Sequence, residues 1–362
     1  MLGTEYPIIQ SGMSGVAGPE LAAEVCNAGG LGVLAGLLVG PDALRAAIDE
    51  IRSRTDRPFG VNLLLLPEIW DPQPADQLDT DLIARVHAVA DRIRHDVGLE
   101  PLTEPPPTIP QLVDAALDVI VEERVPVFSA GLGDPGPDVT SRLHDAGIRT
   151  VVMVTNADDA RRVAASGADV VVAQGAEAGG HRSHLEAPTD PDLDELGTFA
   201  LLQEVVGAVD VPVVAAGGVV DGRGLVAALA LGASGVLMGS RFLVSRESSA
   251  PEAHKKRLLE ASGDETIVTA GLSGRQARAV RNRMTDAWAG VPDPLPFPAQ
   301  YIINTGVYDI GDARHDADLL PLWGGQGVGR LDDLPWAADV VAATVDAAAE
   351  LIRNRVGAEI DG

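Results

Sequence analysis

Short apolar runs, many of them β-branched, alternate along the chain with alanine-rich stretches of helical periodicity. This alternation is typical of a parallel sheet covered by helices. Eight such runs precede residue 244, and eight is the number that a closed α/β barrel requires. The predicted strands are Ile8–Gln10, Leu31–Ala35, Phe59–Leu66, Val125–Ser129, Thr150–Val154, Val170–Ala173, Val211–Ala215 and Gly235–Met238.

Helices are predicted between these strands, and several end at a glycine, as helix C-termini often do. They are Pro19–Asn27, Pro41–Arg54, Val139–Ala146, Ala157–Ser166, Phe199–Val209 and Arg223–Leu231. An open doubly wound sheet would show the same alternation, so the preference for a (β/α)8 TIM barrel depends partly on the motifs that follow the strands.

A first break in the alternation, residues 67–124, follows the third strand. It contains two helical patterns, Thr80–Val97 and Ile109–Arg124, around the proline-rich stretch Glu104–Pro107. We therefore predict a helical, proline-rich insertion after strand 3 of the barrel.

A second break, residues 244–362, follows the eighth strand. It carries further helices, a proline-rich turn at 291–296 and a final helix from about Pro335 to Val356. The prediction is a barrel at residues 1–243 and a C-terminal helical extension that caps the barrel mouth.

Composition and charge exclude several classes of protein. The chain is 46% hydrophobic with a mean hydropathy of +0.13, which is ample for a full core. Its 27 basic against 53 acidic residues give a net charge of −26, which disfavours a nucleic-acid partner. The two lysines, Lys255 and Lys256, are predicted to lie on a solvated helix face.

The single cysteine, Cys26, cannot form an internal disulfide, which fits a reducing compartment. No basic region followed by an apolar stretch opens the chain, and no apolar run approaches 18 residues. The expectation is a cytoplasmic protein that makes no membrane contact. The other histidines, His87, His95, His144, His184, His254 and His315, lack partners at metal-ligand spacing, so no metal site is predicted and they are interpreted as surface or packing residues.

Glycines end the last two predicted strands, with Gly217-Gly218 after the seventh and Gly239-Ser240 after the eighth. Bare backbone N–H groups in these loops form the usual phosphate cradle of a barrel. The cradle indicates FMN or a phosphosugar. The alternative is that the glycines only permit tight strand-to-helix turns.

The stretch from Gln174 to Arg182 follows the sixth strand, where barrel enzymes keep their catalytic groups. Gln174 could offer its amide to a heterocycle, and Gly179-Gly180 would let the backbone approach a flat ligand. His181 is suited to take or give a proton near neutrality, against the alternative of a surface-loop histidine. Glu177 is either a second acid or, as we prefer, a cap for a loop amide.

Weaker signals come from other loops at the same end of the barrel. Gly12 and Met13 follow the first strand and could present backbone groups to a ring system, while Asn62 of the third could hydrogen-bond to it. The glycine-rich segment Pro321–Gly327 suggests a loop folded over the mouth.

In their order, these stretches resemble the nitronate monooxygenase family, formerly called 2-nitropropane dioxygenases, whose members are FMN-dependent flavoproteins on a (β/α)8 barrel. The similarity covers nearly the whole chain. It lies in Pro7–Gly15, Ala28–Gly32, Gly60–Asn62, Gln174–Arg182, Ala215–Gly218, Met238–Phe242, Ser273–Arg278 and Trp323–Gly327.

The resemblance implies an oxidoreductase that converts alkyl nitronates, and nitroalkanes, with dioxygen to carbonyl compounds and nitrite. His181 matches the family's catalytic base for neutral nitroalkanes. The residues implied to surround FMN are Gln174, Gly179, Gly180, Gly217, Gly218, Gly239 and Ser240, with Gly12, Met13, Asn62 and Gln326 at its ring. The oligomeric state stays open, with a homo-oligomer as one option.

Three alternatives remain at this point. The loop Ser129–Gly133 and the Gly-Gly-His stretch are similar to those of flavin-dependent, NAD(P)H-using enoyl-acyl-carrier-protein reductases, which share the fold. A phosphosugar isomerase would need a carboxylate base, for which Asp134 and Glu177 are the nearby candidates. A non-catalytic flavin- or phosphate-binding module would hold its ligand without turnover.

Overall fold

Two sheets organise the computed structural model, which describes residues 2–36, 40–72, 77–186, 196–291 and 293–356, with residues 355 and 356 described by their backbone alone. Pro292, in the predicted proline-rich turn, lies outside the described residues. The strands are β1 (Ile8–Gln10), β2 (Val33–Ala35), β3 (Gly60–Leu64), β4 (Val127–Gly131), β5 (Arg149–Val154), β6 (Val170–Gln174), β7 (Gly180–His181), β8 (Val213–Ala216), β9 (Gly235–Met238), β10 (Thr266–Thr269) and β11 (Ala277–Val280).

Eight of these strands form one parallel sheet in the order β1, β9, β8, β6, β5, β4, β3, β2. A parallel bridge between Ile9 and Leu31 joins its two edges. The buried side chain of Gln10 extends this seam, because its amide accepts from Val33 N at 3.0 Å and donates to Val33 O at 3.2 Å. The predicted TIM barrel is confirmed, and its eight strands are the eight predicted runs.

The barrel strands are apolar on both faces because they pack on both sides. In β6, Val170 and Val172 belong to a core inside the barrel, whereas Val171 and Ala173 belong to the core between sheet and helices. This alternation explains why the strands appear in the sequence as continuous apolar runs.

Helices alternate with the strands and continue after them. They are α1 (Pro19–Asn27), α2 (Pro41–Arg54), α3 (Pro67–Trp70), α4 (Thr80–Val97), α5 (Val113–Glu122), α6 (Gly136–Asp145), α7 (Ala157–Ala165), α8 (Thr198–Val206), α9 (Gly222–Ala230), α10 (Ser240–Leu243), α11 (Glu252–Glu260), α12 (Arg283–Trp288), α13 (Ala299–Ala313) and α14 (Ala337–Leu351). Short 3-10 turns cover Gly263–Glu265, Ala317–Leu319 and Gln326–Arg330, and a π turn covers Ile352–Val356.

The insertion divides between two cores. Helix α4 begins at the cap Asp79, whose carboxylate accepts from Asp81 N and Leu82 N, and its apolar face packs with α13 of the C-terminal extension. Helix α5 instead packs in the main core between barrel and helices. The segment that departs from the barrel is therefore shorter than the predicted 67–124, because α5 occupies the place of the barrel helix between β3 and β4.

The last helix corrects the prediction that the whole extension caps the barrel mouth. Helix α14 packs on the outside of the barrel against α9 and α1, and its Ala337, Val341 and Ala348 are buried in the main core. It thus serves as the helix that follows the eighth barrel strand. The intervening residues contribute α11 to α13 and the strands β10 and β11.

Strands β10, β11 and β7 form a small antiparallel sheet that the sequence did not predict. In this sheet Ala277 pairs with His181 and Arg278 pairs with Gly180. The extension is therefore joined directly to the loop that carries the candidate catalytic histidine.

The prediction for the two lysines is half wrong. Lys256 is solvated, with 77% of its side chain exposed, as predicted. Lys255, on the packed side of α11, is buried, and its amine lies 3.4 Å from Glu252 Oε1. Its long apolar stem allows this burial.

Candidate active site

A cavity of about 420 Å³ opens at the C-terminal ends of the barrel strands. Most of the residues singled out from the sequence line it together, namely Gly12, Met13, Asn62, Gln174, Gly179, Gly180, His181, Gly217, Gly218, Gly239 and Ser240. Gln326 does not, because its side chain is exposed and only its backbone N–H takes part, donating to Glu177 O at 2.9 Å. This is the end of a barrel where loops from separate strands converge.

The glycine turn after β8 lines the cavity and contains backbone donors without a partner among the described residues. Gly217 and Gly218 have φ values of +105° and +70°, which lie in the region that glycine adopts without strain. Their amides, like that of Gly239 after β9, make no hydrogen bond to any described residue. Bare amides of this kind can hold a phosphate without a cationic side chain.

Glu177 supports this turn through Thr198. This agrees with the structural role that the sequence analysis preferred for it. Its Oε2 accepts hydrogen bonds from Thr198 N at 2.7 Å and Thr198 Oγ1 at 2.9 Å. Thr198 Oγ1 also lies 3.0 Å from Gly217 O. Through Oε2, the carboxylate thus fixes the start of α8 against the turn.

Gly179 contacts another loop of the protein at the position where the sequence suggested contact with a ligand. A Cβ atom at this position would lie 2.5 Å from Gly325 N and 2.6 Å from Gly324 C. Gly325 N in turn donates to Ser240 Oγ at 3.0 Å. The predicted loop over the mouth is therefore present, and it closes against Gly179 and Ser240.

Gln174 positions the histidine loop. Its Nε2 donates to His181 O at 3.0 Å, and its Oε1 accepts from Ser183 N at 2.8 Å. One N–H and one lone pair of the amide remain for a ligand. Asn62 is held similarly, since its Nδ2 lies 3.2 Å from Ser129 O and 3.1 Å from Ser129 Oγ.

The imidazole of His181 is hydrogen-bonded to a serine that the sequence analysis did not single out. Its Nε2 lies 2.8 Å from Oγ of the fully buried Ser273, and Oγ lies 3.3 Å from Arg275 O. A hydroxyl that donates to this carbonyl must accept from the ring, so the network assigns the proton to Nε2. The lone pair of Nδ1 is then free to act as a base.

The surroundings of His181 keep its imidazole neutral. The rings of Phe297 and Trp323 lie 5.2 Å and 5.5 Å from it, centroid to centroid. Burial lowers the pKa of His181 to about 4, and the nearby charge of Arg275 acts in the same direction. A neutral histidine with a free ring nitrogen can accept a proton at any pH above about 4.

His254 anchors the aromatic side of the site and was interpreted from the sequence only as a surface or packing residue. It is buried in α11, and its Nε2 lies 3.0 Å from Trp323 O. Burial lowers its pKa to about 4. The neutral ring thus holds the residue that packs against His181.

These features define a class of protein: an enzyme built on a (β/α)8 barrel, with unpaired backbone amides and a neutral histidine in one cavity. A sequence profile of the nitronate monooxygenase family matches residues 1–346. The chain belongs to the nitronate monooxygenase family, whose members are flavin-dependent oxidoreductases that act on small molecules.

Individual relatives agree with this assignment. The chain is 37% identical over 350 residues to a nitronate monooxygenase of Paraburkholderia phytofirmans, which covers 94% of this chain and 92% of the relative. A nitroalkane oxidase from Streptomyces ansochromogenes superposes with a TM-score of 0.88 at 34% identity, covering 96% and 97% of the two chains. FabK from Thermotoga maritima superposes with a TM-score of 0.75 at 30% identity, covering 98% and 96%.

The part of the chain that the structure describes contains neither a candidate membrane-spanning helix nor a candidate metal-binding cluster. None of the described helices is long and apolar enough to cross a membrane. Within the same ranges, no group of three or more His, Cys, Asp or Glu side chains is arranged to hold a metal ion.

Proposed function

We propose that this enzyme binds FMN and uses dioxygen to oxidise alkyl nitronates, and the nitroalkanes that yield them, to carbonyl compounds and nitrite. The observation that carries the proposal is His181, a neutral base with a free Nδ1 in the same cavity as a set of bare amides. The names of the bacterial relatives support it.

The residues present fit FMN. The bare amides of Gly217, Gly218 and Gly239 would hold its phosphate, and the groups near Gly12, Met13, Asn62 and Gln174 would face its ring. Bound FMN supplies the electron transfer between nitronate and dioxygen, while the protein binds, orients and excludes water. Gln326 is left out of this set, because its side chain points to solvent.

His181 has a task only when the substrate is a neutral nitroalkane. Its Nδ1 would take the proton from the carbon that bears the nitro group, and Ser273 would hold the ring in the tautomer that permits this. A preformed nitronate has already lost that proton. Comparing the rates with a neutral nitroalkane and with its preformed nitronate therefore isolates the proton transfer to His181 from the other steps.

The alternatives are supported less well. The similarity to FabK supports an enoyl-acyl-carrier-protein reductase, but His181 would then have to donate a proton, and its pKa of about 4 opposes this. A phosphosugar isomerase is disfavoured, because Oε2 of Glu177 already accepts two hydrogen bonds from Thr198. Asp134, the other candidate base, is not part of the cavity lining, and its carboxylate accepts from Gly136 N and Ser166 Oγ.

The visible spectrum of the FMN-loaded protein without oxygen tests the proposal. We expect an alkyl nitronate alone to bleach the flavin absorbance, because the nitronate is the electron donor. NADH and NADPH serve as matched additions. If a nicotinamide bleaches the flavin and the nitronate does not, the enzyme is a reductase and the proposal is wrong.

Ser273→Ala tests the tautomer. We expect kcat/KM for a neutral nitroalkane to fall roughly tenfold, the equivalent of one hydrogen bond that orients the base. Steady-state rates with the preformed nitronate should not change, since that reaction does not use His181. Ser273→Cys, which keeps a weak donor and acceptor, should recover part of the loss. Equal losses on both substrate forms would mean that Ser273 has only a structural role.

A further inference from the structure

We infer that a buried polar face of helix α13 positions the base of the reaction. This face, called here the α13 polar face, consists of Gln300, Asn304 and Tyr308. Its side chains hold the serine loop, residues 270–275, whose Ser273 is hydrogen-bonded to His181. The inference rests on the proposed function, and it assigns to this face a positioning role that acts through Ser273.

The α13 polar face lies inside an otherwise apolar core. Gln300, Asn304 and Tyr308 are spaced four residues apart, so they lie on the same side of the helix. They are 0%, 1% and 5% exposed, and the neighbouring Ile303 and Val307 belong to the apolar core that α13 shares with α4. Buried polar groups cost free energy unless they are hydrogen-bonded. The partners of these side chains therefore indicate what the face does.

The partners of Asn304 and Tyr308 are the two carbonyls that immediately precede Ser273. Asn304 Nδ2 lies 3.2 Å from Gly271 O and 3.1 Å from Leu272 O. The hydroxyl of Tyr308 donates to Leu272 O at 2.7 Å. Burial raises the pKa of Tyr308 well above its ordinary value, so the hydroxyl keeps its proton and remains a donor. The backbone that leads into Ser273 is thus fixed by two side chains of α13.

Gln300 joins the serine loop to the segment that carries Phe297. Its Nε2 donates to Gly271 O at 3.0 Å, and its Oε1 accepts from Leu295 N at 3.1 Å. The ring of Phe297 lies 5.2 Å from that of His181, centroid to centroid. A single buried amide therefore links two of the segments that contact the imidazole.

The serine loop contacts the loop that carries His181 at two points. Ser273 Oγ lies 2.8 Å from His181 Nε2, and Arg275 donates through Nη2 to His184 O at 2.6 Å. Ser273 is fully buried and its side chain is short, so the position of Oγ follows that of the loop backbone. Moving the serine loop would therefore displace both the hydroxyl that fixes the tautomer of His181 and the charge of Arg275 near its ring.

Tyr308→Phe tests the inference on the FMN-loaded enzyme with a small change. The variant keeps the ring in the core and removes the hydroxyl that holds Leu272 O. We expect kcat/KM for a neutral nitroalkane to fall roughly threefold, because one buried hydrogen bond is lost while Ser273 itself remains. The rate with the preformed nitronate should not change, since that reaction does not use His181.

A double-mutant cycle shows whether Tyr308 acts through Ser273. In the Ser273→Ala background, Tyr308→Phe should cause no further loss with the neutral nitroalkane, because the group that it positions is already gone. If the two losses multiply, the hydroxyl of Tyr308 acts independently of Ser273, and the inference is wrong.

Val307→Ala is the matched control for stability. Val307 is the adjacent residue of α13 and is buried in the same core, but its side chain has no polar group that could hold the serine loop. It should lower the unfolding temperature at least as much as Tyr308→Phe, since it leaves a cavity. The ratio of kcat/KM values for nitroalkane and nitronate should stay at that of the parent. An equal change of this ratio in both variants would overturn the inference.

Nitrogen NMR of the imidazole provides a readout that does not depend on turnover. Protein labelled with ¹⁵N in its histidine rings and loaded with FMN is compared with the variant His181→Asn, which identifies the signals of His181 by their absence. We expect the parent to carry its proton on Nε2 and to leave Nδ1 unprotonated. In Tyr308→Phe the opposite tautomer should gain population, whereas Val307→Ala should resemble the parent.

The outcomes distinguish this inference from the proposed function. If the enzyme oxidises nitroalkanes but Tyr308→Phe leaves either the nitroalkane rate or the tautomer unchanged, the inference is wrong and the function stands. If neither nitronates nor nitroalkanes are oxidised, the function fails, and nitrogen NMR alone decides whether the α13 polar face holds the tautomer of His181.

Discussion

Replacing His181 with alanine is expected to lower kcat/KM for neutral nitroalkanes by about 10²–10⁴-fold, the usual contribution of a positioned general base. The same variant should oxidise preformed nitronates at close to the original rate. The reason is that His181 acts on the α-proton, through an Nδ1 that no described side chain occupies, and a nitronate has no such proton to lose. Steady-state oxygen consumption with both substrate forms measures the split.

His181→Asn is the matched control for shape. The asparagine amide keeps a planar polar group next to Phe297 and Trp323, but it is not basic enough to accept the proton. It should lose as much activity on neutral nitroalkanes as the alanine variant. If either variant handles nitroalkanes as well as the parent, His181 is not the base.

The pH profile provides a second check of the same assignment. The base must be neutral, and burial holds the pKa of His181 at about 4 against an ordinary value of 6.5. Activity with neutral nitroalkanes should therefore rise with pH through about 4 and stay level across the range from 5 to 7, where an ordinary histidine would titrate. An inflection near 6.5 in kcat/KM would mean that the ring is solvated in the working enzyme.

Much of the fold follows from local patterns in the sequence. The eight barrel strands are apolar on both faces, so each is visible in isolation, and the bounds of α1, α2 and α4 coincide with the predicted helices. What the sequence did not predict depends on contacts between distant segments. Strand β7 has only two residues, and it exists because β11, almost a hundred residues later, pairs with it. The position of α14 depends likewise on the faces of α9 and α1.

The candidate site shows the same division. Residue types that carry chemistry, such as His181 and the glycines after β8 and β9, could be identified from their place behind a strand. The partner residues that position these groups could not be identified from the sequence. Ser273 and His254 have no local signal, since a serine in a loop and a histidine in a helix are common. Gly179 must be a glycine because Gly325, which is far away along the chain, leaves no room for a Cβ atom.

Gly218→Val is expected to weaken FMN binding by roughly tenfold to a hundredfold, the equivalent of about 1–3 kcal/mol of backbone strain. The cause is conformational, because a Cβ at this position would meet Glu177 Cβ at an ordinary 3.6 Å. The φ of +70° is what valine cannot adopt without strain. The turn should relax toward negative φ and rotate its amide out of the cradle. Titration of the apoprotein with FMN, followed by flavin fluorescence, gives the dissociation constant.

Gly147→Val separates this effect from general destabilisation. Gly147 follows α6 with a φ of +77°, and no atom lies within 4 Å of the position that a Cβ would take, so valine there meets the same backbone strain away from the cavity. Both variants should unfold at lower temperature, but only Gly218→Val should lose affinity for FMN. If the two lose affinity equally, or if Gly218→Val retains flavin as tightly as the parent, the amides after β8 do not hold the phosphate. A loss of FMN affinity confined to Gly218→Val would assign the phosphate site to this turn, because both variants introduce the same backbone strain.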